Sequence, residues 1–226
     1  MPKILTTVLL AIVAGFAAWL SPVFTDIPSP PPVPIVEPPP LAEPPPRATT
    51  RSDHVTVVLD TSGSMSDRGK LSYAKQLVRT LNLRSHGSVS VVTFSDRAQT
   101  VVSADEQLDD AALAERLYDV TDGGSSNLYE GLRVAIETSP IGSDVLVLSD
   151  GAANAGRTTP DALQELAGRI GTNGGRLYTV SLSPDADSAL VPLSRIGGGV
   201  HRLVERPRDI VSVLDDNAFE TLGGAQ

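Results

Sequence analysis

The chain has 226 residues, 41% of them hydrophobic, no cysteine and a formal net charge of -9. The missing cysteine excludes a thiol nucleophile, cysteine-ligated zinc, iron–sulfur clusters, disulfides and an acylated-cysteine anchor. The excess of Asp and Glu, 27 against 18 Lys and Arg, opposes a phosphate backbone, and the small cluster Arg202, Arg206 and Arg208 lies amid acids and reads as solvated surface, so no nucleic-acid partner is expected.

Composition divides the chain into an apolar segment, 1–27, a proline-rich linker, 28–50, and a domain of ordinary globular patterning, 51–226. From Ile4 to Leu20 there is no charge, and as a helix Ile4–Phe24 would extend about 30 Å, the thickness of a bilayer core. Lys3 precedes the segment, Asp26, Glu37 and Glu43 follow it, and Trp19 and Phe24 fall where an interfacial belt would lie. The positive-inside rule then leaves the N-terminus in the cytoplasm and the domain outside, as a single-pass membrane protein. A cleaved signal peptide is the alternative, and it would secrete the domain. Over residues 28–46 proline removes backbone donors and fixes φ, so the segment is expected as an extended spacer of roughly 60 Å, with a docking site for a proline-binding module as the other reading.

Past residue 53, strand and helix patterns alternate. His54–Leu59 is a β-branched run ending at Asp60, and Lys70–Leu83 places Leu71, Ala74, Leu77, Val78 and Leu81 on one helical face. Ser88–Phe94 reads as a strand, Ala98–Val102 as a short partner in a hairpin, and Leu108–Tyr118 and Asn127–Thr138 as helices. Asp144–Leu148 is a third apolar run, too short for a buried helix. Thr159 can cap a helix from Pro160 that buries Leu163, Leu166, Ala167 and Ile170 and ends at Gly174-Gly175. A strand over Arg176–Ser181, a helix over Ser188–Ile196 closed by three glycines, a strand over Val200–Val204 and a helix over Asp209–Leu222 complete the pattern. Such alternation predicts an α/β fold: a doubly wound, mostly parallel sheet with one antiparallel edge strand and helices on both faces.

In such sheets ligands bind beyond the C-terminal strand ends. Three polar loops fall there or lead into a helix beside them: Asp60-Thr-Ser62-Gly-Ser64, Asp122-Gly-Gly-Ser125-Ser126-Asn127 and Ser149-Asp150-Gly151. Hydroxyls and carboxylates without His or Cys suit a hard cation such as Mg²⁺, and the i, i+2, i+4 spacing across Gly63 lets Asp60, Ser62 and Ser64 share a pocket. His54, His86 and His201 are scattered and read as ordinary surface or half-buried residues; Gly171–Gly175 lacks the lysine of a P-loop and terminates a helix. Arg68 and Lys70, the nearest basic residues, have no geometry forced on them by the sequence.

DTSGS at Asp60–Ser64 resembles the D-x-S-x-S signature of the metal-ion-dependent adhesion site (MIDAS) of von Willebrand factor A (VWA) domains. GGSSNLYEGL at Gly123–Leu132 resembles the family's second loop, with Ser126 where a threonine usually stands, and LVLSDGAAN at Leu146–Asn154 resembles the third. The likeness runs from Val55 to about Leu222 and implies the Rossmann-like VWA fold. It further implies a non-enzymatic adhesion module in which Ser62 and Ser64 ligate Mg²⁺ or Mn²⁺ directly, Ser126 does so in the ligand-competent state, and Asp60 and Asp150 act mostly through water. A protein partner's carboxylate would fill the open position. Register favours Ser126 over Ser125 as the second-loop ligand. The family also implies linkage between metal coordination and movement of the C-terminal helix, Asp209–Leu222 here. Two other readings stand beside this one: a Mg²⁺-dependent phosphoryl hydrolase with Asp60 as nucleophile, and a metal-free envelope scaffold.

Overall fold

The computed structural model describes residues 52–86, 88–219 and 222, so the expectations for the apolar segment 1–27 and the linker 28–50 lie outside the described residues. Strand β1, Val55–Asp60, starts the domain, and a 3₁₀ segment, Gly63–Gly69, leads into helix α1, Lys70–Arg84. Strands β2, Val89–Phe94, and β3, Ala98–Val102, come next, then helices α2, Asp110–Tyr118, and α3, Leu128–Thr138. Strand β4, Asp144–Ser149, precedes helix α4, Pro160–Thr172, and strand β5, Leu177–Ser181. Helix α5, Asp187–Ile196, strand β6, Gly198–Leu203, and a 3₁₀ run, Pro207–Asp215, are the last regular elements among the described residues.

The six strands form one sheet in the order β3-β2-β1-β4-β5-β6. Every pairing is parallel except the edge hairpin of β2 with β3. Chain order reverses between β1 and β4, and a crevice opens at such a switch point beyond the strand ends. All six residues of β1, of β2 and of β4 are buried, as expected of strands covered on both faces.

Alternate residues of β1 feed two separate cores. Val55, Val57 and Leu59 pack with Leu77, Val78 and Leu81 of α1 and with Ile210 and Val213. Val58 packs on the other face with Phe94, Leu132 of α3 and Leu166 of α4. The period-2 geometry of the strand thus makes one apolar run serve both layers.

Three elements differ by more than one residue from the ranges read in the sequence. Helix α2 begins at Asp110, because the Asp109 side chain accepts a hydrogen bond from Ala112 N at 2.8 Å and caps it there. Gly198 and Gly199, read as part of a helix stop, are the first residues of β6; Gly197 closes α5 alone. The C-terminal helix expected over Asp209–Leu222 is a 3₁₀ run that stops at Asp215. Asp216 has extended backbone, its Oδ1 accepts from Ala218 N at 2.9 Å and its Oδ2 from Arg202 Nε at 2.5 Å. A side chain that satisfies nearby backbone in this way competes with helix continuation.

Candidate metal centre

Loops after β1 and β4 and the loop leading into α3 meet over the switch point. Asp60 closes β1 with its side chain 0% exposed. Its Oδ1 accepts from Ser62 N at 2.8 Å; its Oδ2 accepts from Ser126 Oγ at 3.1 Å and Ser149 Oγ at 2.5 Å. Burial pushes the Asp60 carboxyl above its ordinary range; hydrogen bonds from Ser149 and Ser62 pull it down, and the charge of Asp150 adds to the rise. Ser64 Oγ donates to Asp150 Oδ1 at 2.7 Å and lies 3.3 Å from Ser62 Oγ. Ser62, Ser126 and Asp150 are buried, whereas Ser64 is exposed, so the group runs from the sheet edge out to solvent.

Local packing holds this arrangement. Met65 is fully buried among the α1-side core and pins the turn that follows Ser64. Gly63 N donates to Gly124 O at 3.1 Å and Gly123 N to Thr61 O at 2.8 Å, which joins the first loop to the second. Gly124 has φ +77, and a Cβ there would stand 2.6 Å from Asp96 Oδ2, so the position takes no larger residue without strain. Asn154 Oδ1 accepts from Ser126 N at 2.7 Å, and Asn154 N donates to Ser126 O at 3.0 Å, joining the second loop to the third.

All five residues singled out in the sequence, Asp60, Ser62, Ser64, Ser126 and Asp150, are therefore linked in one hydrogen-bonded group. The Ser125 side chain turns away: its Oγ and N both donate to Asp96 Oδ1, which holds the Asp96 carboxyl below its ordinary range. Four participants went unassigned in the sequence. Ser149 and Asn154 lie inside the quoted third loop, and Asp96 comes two residues after β2, at the sheet edge where Asp60 ends β1, so the strand-end rule reaches it. Lys70 corrects the expectation of no forced geometry, since its Nζ lies 2.5 Å from Asp150 Oδ2.

The donor set is one of oxygens. Among the described residues no three His, Cys, Asp or Glu side chains gather to hold a metal ion, so a cation here would rest on two carboxylates plus hydroxyls. That set fits a hard divalent ion: Ser126 and Ser64 direct their protons to carboxylates and leave lone pairs free.

The family model described as "von Willebrand factor type A domain" matches residues 55–152. The chain contains a von Willebrand factor A domain. Over 158 residues it is 34% identical to calcium-activated chloride channel regulator 1 of the horse, and over 159 residues 31% identical to the human protein. Each alignment takes in 65% of this chain and 16% of the relative, so the chain spans about a sixth of the length of the curated relatives it matches. Among solved structures, a von Willebrand factor type A protein from Catenulispora acidiphila superposes with a TM-score of 0.63 at 17% identity, over 76% of this chain and 43% of that one. Proximal thread matrix protein 1 from the mussel byssus, in a form with a zinc-occupied MIDAS motif, superposes with a TM-score of 0.60 at 16% identity, over 73% and 46%. Among the described residues no helix is long and apolar enough to cross a membrane.

Proposed function

We propose that this VWA domain is a divalent-cation-dependent module for binding a protein partner, displayed outside the membrane by the apolar segment 1–27 and the linker 28–50. The observation that carries this reading is the convergence of Ser62, Ser64 and Ser126 with Asp60 and Asp150 at the switch point between β1 and β4. In it Ser62, Ser64 and Ser126 hold Mg²⁺ or Mn²⁺, and Asp60 and Asp150 balance its charge. The bound ion would supply an electrophilic centre for a partner's carboxylate. The zinc-occupied MIDAS motif of the mussel protein supports a metal at this place in the fold.

The geometry argues against Asp60 as a phosphoryl-accepting nucleophile. It is fully buried, and both carboxylate oxygens already accept hydrogen bonds. An attacking oxygen must reach the reacting atom, and Oδ2 of Asp60 would first have to give up the Ser126 and Ser149 hydroxyls.

Calorimetric titration of the chain with Mg²⁺ and Mn²⁺, beside a folded Asp60→Ala/Ser62→Ala variant, tests the reading. Saturable binding by the native chain alone is expected. No binding by the folded native chain would leave the three loops as structural turns and favour a metal-free scaffold.

A further inference from the structure

Lys70 opens α1 just after the 3₁₀ segment, where the backbone kinks at Asp67 (ψ 132) and Arg68 (φ 52). The kink sets the lysine against the third loop. Its Nζ lies 2.5 Å from Asp150 Oδ2 and 3.3 Å from Ser64 O, and the side chains of Lys70 and Asp150 are 12% and 1% exposed. The pair Arg79–Asp110, by comparison, is 42% and 35% exposed, in water that screens it. Ser64 therefore touches the lysine through its carbonyl and Asp150 through its hydroxyl, and Asp150 is shared between them.

We propose that Lys70 is a tethered counter-cation that sets the charge, and so the divalent affinity, of this centre. The inference rests on the metal-binding reading above. Asp60 and Asp150 with the Lys70 ammonium carry one net negative charge, where the two carboxylates alone would carry two. A divalent ion then leaves the centre one unit positive instead of neutral. Lys70 weakens the hold on the cation and strengthens the attraction for an incoming carboxylate. The distances place the ammonium within direct Coulomb range of anything held by Ser64 and Asp150, in a site shielded from bulk water on the Asp150 side.

The test is titration of the full chain with Mn²⁺, followed by the loss of the free-ion electron paramagnetic resonance signal. Lys70→Gln keeps a donor for Asp150 and removes the charge; Lys70→Arg keeps the charge. Lys70→Gln is expected to bind Mn²⁺ on the order of tenfold tighter than the native chain, and Lys70→Arg to stay within about twofold of it. Lys70→Met, which removes donor and charge together, is expected to follow Lys70→Gln and serves where Lys70→Gln does not fold. Unchanged or weaker Mn²⁺ affinity in a folded charge-free variant overturns the inference and leaves the metal site standing. Absence of Mn²⁺ binding by the native chain and every variant overturns the metal reading, and this inference with it.

Discussion

Ser149 Oγ stands 2.5 Å from Asp60 Oδ2 and so joins the last residue of β4 to the last residue of β1, across the switch point. The bond is buried, with Ser149 1% and Asp60 0% exposed, and it is the shorter of the two hydroxyl bonds to that oxygen. The bond favours the Asp60 charge in a place where burial disfavours it.

Ser149→Ala leaves that carboxylate oxygen with Ser126 alone. The expected cost is about 1.5–3 kcal/mol in urea unfolding at pH 7, the range for losing one hydrogen bond to a charged group. An effect within about 0.5 kcal/mol, typical of surface changes, would show that the bond is replaceable.

Gly131 sits inside α3, where alanine would ordinarily be better by about 1 kcal/mol. Packing reverses that preference. A Cβ at Gly131 would lie 2.9–3.1 Å from three atoms of Phe94, which is fully buried at the end of β2. Overpacking of this kind costs about 1–3 kcal/mol, so Gly131→Ala is expected to lower the melting temperature. A rise would mean that the Phe94 ring moves aside freely.

Much of the fold was legible because the central strands are short apolar runs covered on both faces, which leave few other interpretations. The five candidate site residues were legible for a related reason: polar residues directly after or facing such strands collect at one sheet edge. Ser149 was not, since its side chain acquires a partner only when β4 lies beside β1 in the observed register. Lys70 was hidden by a kink at Asp67 and Arg68 that helical spacing does not announce. The same holds at the C-terminus, where Ile210, Val213 and Leu214 have helical spacing while Asp216 breaks the run by bonding its own neighbours.

His54, read as an ordinary surface or half-buried residue, is buried at 8% exposure and starts a chain of hydrogen bonds. Ser139 Oγ donates to Ala135 O and Ser90 Oγ to Thr56 Oγ1, so with Thr56 donating to Ser139 the His54 Nε2–H is left to donate to Ser90. Burial holds the His54 pKa below its ordinary 6.5. As the pH falls through 6.5 the unfolded chain takes up a proton that the folded chain refuses, and stability drops until the folded pKa is passed. Unfolding free energies from pH 8 to pH 5 should therefore decline more steeply for the native chain than for His54→Gln. Parallel curves would show that His54 protonates within the fold at little cost.

Asn154 tests which serine of the second loop matters. Its exposed side chain accepts from Ser126 N at 2.7 Å, and its N and that of Ala155 donate to Ser126 O, so it fixes the backbone that aims Ser126 Oγ at Asp60. Because Asn154 is exposed, Asn154→Ala should change global stability by less than about 1 kcal/mol, yet it should weaken Mn²⁺ binding several-fold by releasing Ser126. Ser125→Ala serves as the contrast, since Ser125 Oγ donates to Asp96 and not to Asp60. It should leave Mn²⁺ affinity within about twofold of native, a change worth no more than roughly 0.4 kcal/mol. If Ser125→Ala weakened the ion instead and Asn154→Ala did not, the second loop would have to rearrange on binding. Ser125 would then be the ligand.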